Sequence, residues 1–406
     1  MRQLLLTLIL SPLALAQQDG ADPYTGGTRA GLAAAGYANL GPFRIGGYHG
    51  SADVDRLLLP TPVRWIETAH FKIGTTLGEY RVPQDREQRR KLEAELEVLG
   101  ARLPAVDPKA RVLDPWLRAH LIAQRCEEVY ADFQRRLRVT DLDFPQRPQD
   151  ARRGTVFMGL GPYLGQQQKY AVLVFDQAHE VAAYSRAYLG EELRWPQRHN
   201  LGLGRSLLFV TSPELGGWLG DDTAMHVHLC YDVVHLLVDG YRGFGHETPV
   251  WFKTGLAQWY ARRIDPRYPN FDRPPEGPPK GSMLWNWEPI VARLCRDGRA
   301  RPMAEMAAFR DYRDFAFEDY VLAWSRVAFL VERFGDRGLR DFLFHLKEPP
   351  GPGPGTPDWD LVLATQETAR TAAFGFADWE SLDRAWQASI GGIAQASGGS
   401  PRRGRR

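Results

Sequence analysis

Two periods of apolar residues divide this chain into a mixed front half and a helical rear. From Val63 onward the pattern is firm. Trp65–Ile73 (WIETAHFKI) predicts a strand. Tyr170–Phe175 (YAVLVF) and Ser206–Val210 (SLLFV) are unbroken apolar runs of strand length, the signature of strands buried on both faces. Helical spacing governs most of the remainder. Pro83–Leu103 reads as a charged helix whose basic run is a solvated face. Asp114-Pro115 makes an N-cap and N1 pair, opening a helix with Leu117, Leu121, Val129 and Phe133 at helical spacing and ending near Leu137. Further helices are predicted over Ala178–Tyr188, from a cap at Asp222 or Thr223, and over Val250–Arg262, Phe317–Phe334, Gly338–Leu346 and Trp379–Ile390. Residues 17–62 are rich in Gly and small residues with little periodicity, and predict an irregular extension on the domain surface. Residues 264–282 are Pro-rich and form the clearest break, a linker between an α/β lobe over 63–263 and a helical lobe over 283–391. Strands in front with helices behind define an α+β fold.

The first 16 residues have the order of a secretory signal: Arg2, an apolar run from Leu4 to Leu13, then Ala14-Leu15-Ala16 before polar Gln17. No other apolar run approaches the roughly 18 residues of a membrane span. An exported protein, periplasmic or extracellular and without an integral membrane span, is expected. The net charge of +2 comes from the ends: without Arg2 and the four Arg of the 392–406 tail, the 51 basic residues fall to 46 against 49 acidic. The body lacks a basic excess, which argues against nucleic acid as a partner. The tail is Gly, Ser and Arg and is expected to be disordered. Cys126, Cys230 and Cys295 allow at most one bridge, and none is expected, because the first and second of them lie in helical patterns as buried thiols.

The chemistry-bearing stretch is Tyr231-Asp-Val-Val-His235, followed by Trp251-Phe-Lys-Thr254-Gly-Leu-Ala257. A His-Glu-x-x-His helix binds zinc through both His and uses the Glu as general base. Here only the second His stands. The chain resembles the peptidase-MA-like gluzincins, metallopeptidases related in fold to thermolysin. Thr68-Ala-His-Phe-Lys-Ile73 is similar to that family's first strand, and Tyr170–Tyr184 to its edge strand and following helix. Tyr320–Ser325 with Phe329–Gly335 resembles its helical lobe, and Trp379–Trp386 its closing helix. His235 and Thr254 are 19 positions apart, similar to the family's His-to-Glu separation. The resemblance implies a gluzincin-like lobe with Tyr231, His235 and Thr254 at the three ligand positions and Asp232 at the general-base position.

Those replacements remove the chemistry. Phenol and alcohol oxygens are poor zinc ligands near neutral pH. Asp232 is about 1.5 Å shorter than Glu, and misplacements of about 1 Å can cost about 100-fold in rate. No catalytic residue and no metal ligand is therefore expected at these positions, and zinc is retained only as an alternative. His228, Asp232, His235 and Asp239 fall within about 60° on one helix face. They fit a buried polar network in which Asp232 or Asp239 accepts from His235 and Tyr231 closes it. They also fit a rearranged metal site at Asp232 and His235, or a solvated face. His179-Glu180 reads as a helix-start carboxylate, and His246-Glu247-Thr-Pro249 as a turn. The expected function is an exported pseudo-peptidase, a binding or scaffold protein whose inter-lobe cleft takes a peptide or a cell-envelope ligand by adding it to a sheet edge. The alternatives are a metal-dependent hydrolase at Asp232 and His235, and glycan binding through exposed Trp285 and Trp287.

Overall fold

The structure, a computed structural model, describes residues 21–152, 156–202, 205–216, 219–243, 248–273, 280–348 and 359–398. The expected leader over 1–16, His246-Glu247 of the expected turn, and the Arg-rich end of the tail lie outside the described residues. The chain is α+β, with a five-stranded mixed sheet and helices on both faces.

Residues before Val63 form two short helices, α1 (Arg29–Ala35) and α2 (Ser51–Leu57), where an irregular extension was expected. This segment is tied down by buried polar contacts. Asp22 accepts from His120 at 3.0 Å, Tyr37 meets the other ring nitrogen of His120 at 2.8 Å, and His49 meets Tyr184 at 2.9 Å. Trp65–Ile73 is two strands, β1 (Arg64–Glu67) and β2 (Phe71–Thr75), paired antiparallel. The run breaks at its polar centre, where the Phe71 amide donates to the Thr68 hydroxyl and the His70 amide to Glu127. A small ribbon of β3 (Tyr80–Arg81) and β4 (Val112–Leu113) brackets α3 (Arg86–Gly100). Then α4 (Pro115–Leu137) begins as expected, with the Asp114 carboxylate accepting from the amides of Trp116 and Leu117.

β5 (Tyr170–Val174) is buried throughout and lies in the middle of the sheet, parallel to β2 and to β7 (Ser206–Thr211). This corrects its expected place at the sheet edge. Burial on both faces explains its uninterrupted apolar sequence. α5 (Ala178–Tyr188) follows, and Glu180 caps it by accepting from the Gln177 amide. The edges belong instead to β1 and to β6 (Gln197–Leu201), which is antiparallel to β7 and polar enough to show no strand pattern. Alternate residues of β5 and β7 feed two cores. Val172 and Phe209 face a large core shared with α4, while Leu173 and Val210 face a smaller one under α2 and α5.

The large core is organised by α6 (Asp222–Gly240) and α7 (Val250–Ile264). α6 is apolar nearly all round, as a central helix must be, so its few polar side chains are buried with it. α8 (Glu288–Arg296) and α9 (Met303–Ala307) lead to α10 (Phe317–Leu346), which packs on α7 and α4. α10 is broken at Gly335, whose φ of 63° and ψ of −166° are open to glycine, and this is the gap expected between two helices. α11 (Trp359–Phe374) packs on α10, and α12 (Trp379–Gly398) closes the fold. α12 continues to Gly398, so residues 392–398 are helical where a disordered tail was expected. The residues after α7 are no free linker. Asp265 and Asn270 are buried: Lys91 of α3 reaches Asp265 at 3.3 Å, and His228 of α6 and Gln258 of α7 hold Asn270. Gly255 lets α10 approach closely: a Cβ there would meet the Ala323 carbonyl oxygen at 2.5 Å. Among the described residues, no helix is long and apolar enough to cross a membrane.

Candidate functional site

The side chains at the three ligand positions do converge, and what they converge on is a carboxylate. Tyr231 and His235 project from α6, and Thr254 from the first half of α7. The Tyr231 hydroxyl donates to Asp272 Oδ2 at 2.6 Å, and the Thr254 hydroxyl reaches the same oxygen at 3.4 Å. His235 Nε2 lies 3.8 Å from Asp272 Oδ1. Asp272 belongs to the irregular stretch between α7 and α8. That stretch is pinned by His228 Nδ1 against Asn270 Oδ1 at 2.9 Å, and by the Gln258 amide donating to the Asn270 carbonyl.

A cation completes the arrangement. Arg198, on the edge strand β6, donates from Nη1 to Asp232 and from Nη2 to Asp272. Nη2 also lies 3.3 Å from the Tyr312 hydroxyl. The carboxylates of Asp232 and Asp272 are 4% and 2% exposed, and the Arg198 side chain is 17% exposed. Burial works against the charge on Arg198, but Asp272, Tyr312 and Asp232 outweigh it and hold the guanidinium firmly protonated. Burial pushes the Asp232 carboxyl up, with His228 and Arg198 countering only part of the rise. Burial and the neighbouring Asp272 keep the Tyr231 phenol far above its ordinary value, so it stays a donor. Burial, then Arg198 and Lys253, hold His235 well below 6.5, and its imidazole is neutral.

The polar stripe of α6 therefore splits. His228 Nε2 meets Thr211 at 3.1 Å, and its Nδ1 lies 3.2 Å from Asp232 as well as against Asn270. Asp239 points elsewhere, 3.2 Å from Lys253 Nζ; Lys253, Lys347 and Thr248 hold its carboxyl below the ordinary range against the upward pull of burial. His235 bonds neither Asp232 nor Asp239, contrary to the expected network, and both its ring nitrogens are buried without a hydrogen-bond partner among the described residues. The physical reason is that Arg198, a full charge, outcompetes a neutral imidazole for Asp232. Three residues that complete the site, Arg198, Asp272 and Tyr312, carry no motif. The one signal for them is that a buried Asp232 demands a cation, and spacing along the sequence does not say which.

The site does not fit zinc. Tyr231 and Thr254 present hydroxyl protons to Asp272, and the carboxylates already share a guanidinium. A divalent ion about 4 Å from that charge would meet repulsion of about 8 kcal/mol at an effective dielectric of about 20. Among the described residues, no three His, Cys, Asp or Glu side chains form a group that could hold a metal ion. Trp287 is fully buried and lies against Arg262, its ring 4.2 Å from the guanidinium, so it offers no exposed platform for a glycan. No family model matches this chain, and neither a curated protein nor a solved structure is significantly similar to it.

Proposed function

We propose that this chain is an exported, non-catalytic relative of the gluzincin peptidases, a binding or scaffold protein for a peptide or cell-envelope ligand. The observation that carries this reading is Arg198. Its guanidinium joins Asp232, at the general-base position, to Asp272, the carboxylate on which Tyr231 and Thr254 converge. A general base must be free to take a proton from water. Asp232 instead commits its charge to Arg198. The cation that a peptidase would draw from solution is here supplied by the protein itself. Among the described residues no strand pairs with the far side of β6, the edge along which an extended peptide would add beside Arg198.

Incubation of the full-length protein with a mixed peptide library, with and without added zinc, tests this by mass spectrometry of the products. No new termini are expected under either condition. Zinc-dependent cleavage that disappears in His235→Ala would overturn the reading in favour of a hydrolase.

A further inference from the structure

The groups around Asp272 form a set of donors with one positive charge: the Arg198 guanidinium, the Tyr231 phenol and the Thr254 hydroxyl. Such a set is complementary to an anion with two acceptor oxygens, and Asp272 supplies one: its Oδ1 takes Arg198 and its Oδ2 takes the two hydroxyls. Asp232 holds the other arm of Arg198, which fixes the guanidinium so that its second nitrogen faces the carboxylate. The donors stand on β6, α6 and α7, whereas the occupant comes from the irregular stretch after α7. The cradle also has more capacity than Asp272 uses. His235 is fully buried, with neither ring nitrogen hydrogen-bonded and Nε2 only 3.8 Å from Asp272 Oδ1. Arg198 keeps 17% of its side chain exposed, whereas Asp232 and Asp272 are 4% and 2% exposed.

We infer that Arg198, Tyr231 and Thr254 form a carboxylate-binding site which Asp272 fills in cis, and that its ligand is a peptide carboxylate that takes the place of Asp272. The carboxylate is that of an acidic side chain or of a peptide's own C-terminus. Asp272 then acts as a built-in competitor that lowers the affinity of the resting protein. This rests on the reading of the site as metal-free and non-catalytic.

The test is thermal unfolding of Asp272→Ala in the full-length protein, titrated with sodium acetate against sodium chloride at equal ionic strength. Acetate is expected to raise the unfolding temperature saturably in Asp272→Ala, to leave the wild type unchanged, and to have no effect in Asp272→Ala/Arg198→Met. Asp272→Ser, which opens the same space beside Arg198, replaces the alanine variant if that one does not fold. Two blocked peptides identify the source. N-acetyl-Gly-Gly with a free carboxylate reports a C-terminus, and N-acetyl-Ala-Asp-Ala-amide reports an acidic side chain; displacement of acetate by either supports the inference. Absence of an acetate-specific shift in a folded variant, or an equal shift without Arg198, overturns the carboxylate site and leaves the metal-free reading standing. One-to-one zinc binding by Asp272→Ala would instead overturn the metal-free reading itself.

Discussion

Replacing Arg198 with Met strands two carboxylates that share one guanidinium. Asp232 and Asp272 are 4% and 2% exposed, so neither is rescued by water. Removing one partner of a buried ion pair typically costs about 3–5 kcal/mol. The exposed pair of Arg56 with Asp53, with side chains 70% and 38% exposed, should by contrast lose about 0–1 kcal/mol in Arg56→Met. The loss at Arg198 should also depend on pH. Burial already raises the Asp232 carboxyl, and without Arg198 it rises further. A carboxyl raised above its unfolded value binds more protons folded than unfolded, so its contribution falls as pH rises. Each unit of upward shift is worth about 1.4 kcal/mol. Denaturant unfolding at pH 7 should therefore show a deficit of about 3–5 kcal/mol for Arg198→Met, narrowing by about 1–2 kcal/mol at pH 5. A deficit below about 1 kcal/mol, or one identical at both pH values, would refute the assignment of Arg198 as the shared counter-ion.

His235→Phe removes a neutral imidazole whose nitrogens are buried and unpartnered, so denaturation at pH 7.5 should find it neutral or stabilising by up to about 1–3 kcal/mol. The sign is opposite to that at Asp232: a His held below 6.5 loses wild-type stability as pH falls from 6.5 towards the folded value, by up to about 1.4 kcal/mol per unit, and the Phe variant should lack that loss. Gly255→Ala would place a methyl against the Ala323 carbonyl at 2.5 Å, and should cost about 1–3 kcal/mol by denaturation through separation of α7 from α10. Asp22→Ala leaves His120 without its buried carboxylate and should release the segment before Val63, seen as new cleavage there in limited proteolysis.

The α+β class was legible because β5, β7, α4 and α5 are locally consistent. The strands are unbroken apolar runs of strand length, and the helices join helical spacing to a capping carboxylate. Asp114-Pro115 set the start of α4 to the residue. β6 was not legible, because an edge strand need not be apolar, and Gln197–Leu201 is polar for a reason found in space: it carries Arg198 to α6. The order of strands was equally hidden, since β5 gives no local sign of its two neighbours. At the site, α6 and the position of Thr254 beside Tyr231 and His235 were visible. The carboxylate on which they converge was not. Asp272 lies in a Pro-rich stretch that reads as a linker, and only the folded protein brings it within 2.6 Å of Tyr231. The expected partnership of His235 with Asp232 failed because local helix geometry cannot weigh a guanidinium arriving from residue 198.

Calorimetric titration of zinc into the full-length protein, set beside His235→Ala under the same conditions, addresses the proposed metal-free reading most directly. If Arg198 is the cation of this site, the two isotherms superimpose. A saturable one-to-one zinc interaction present in the wild type and absent in His235→Ala would contradict it.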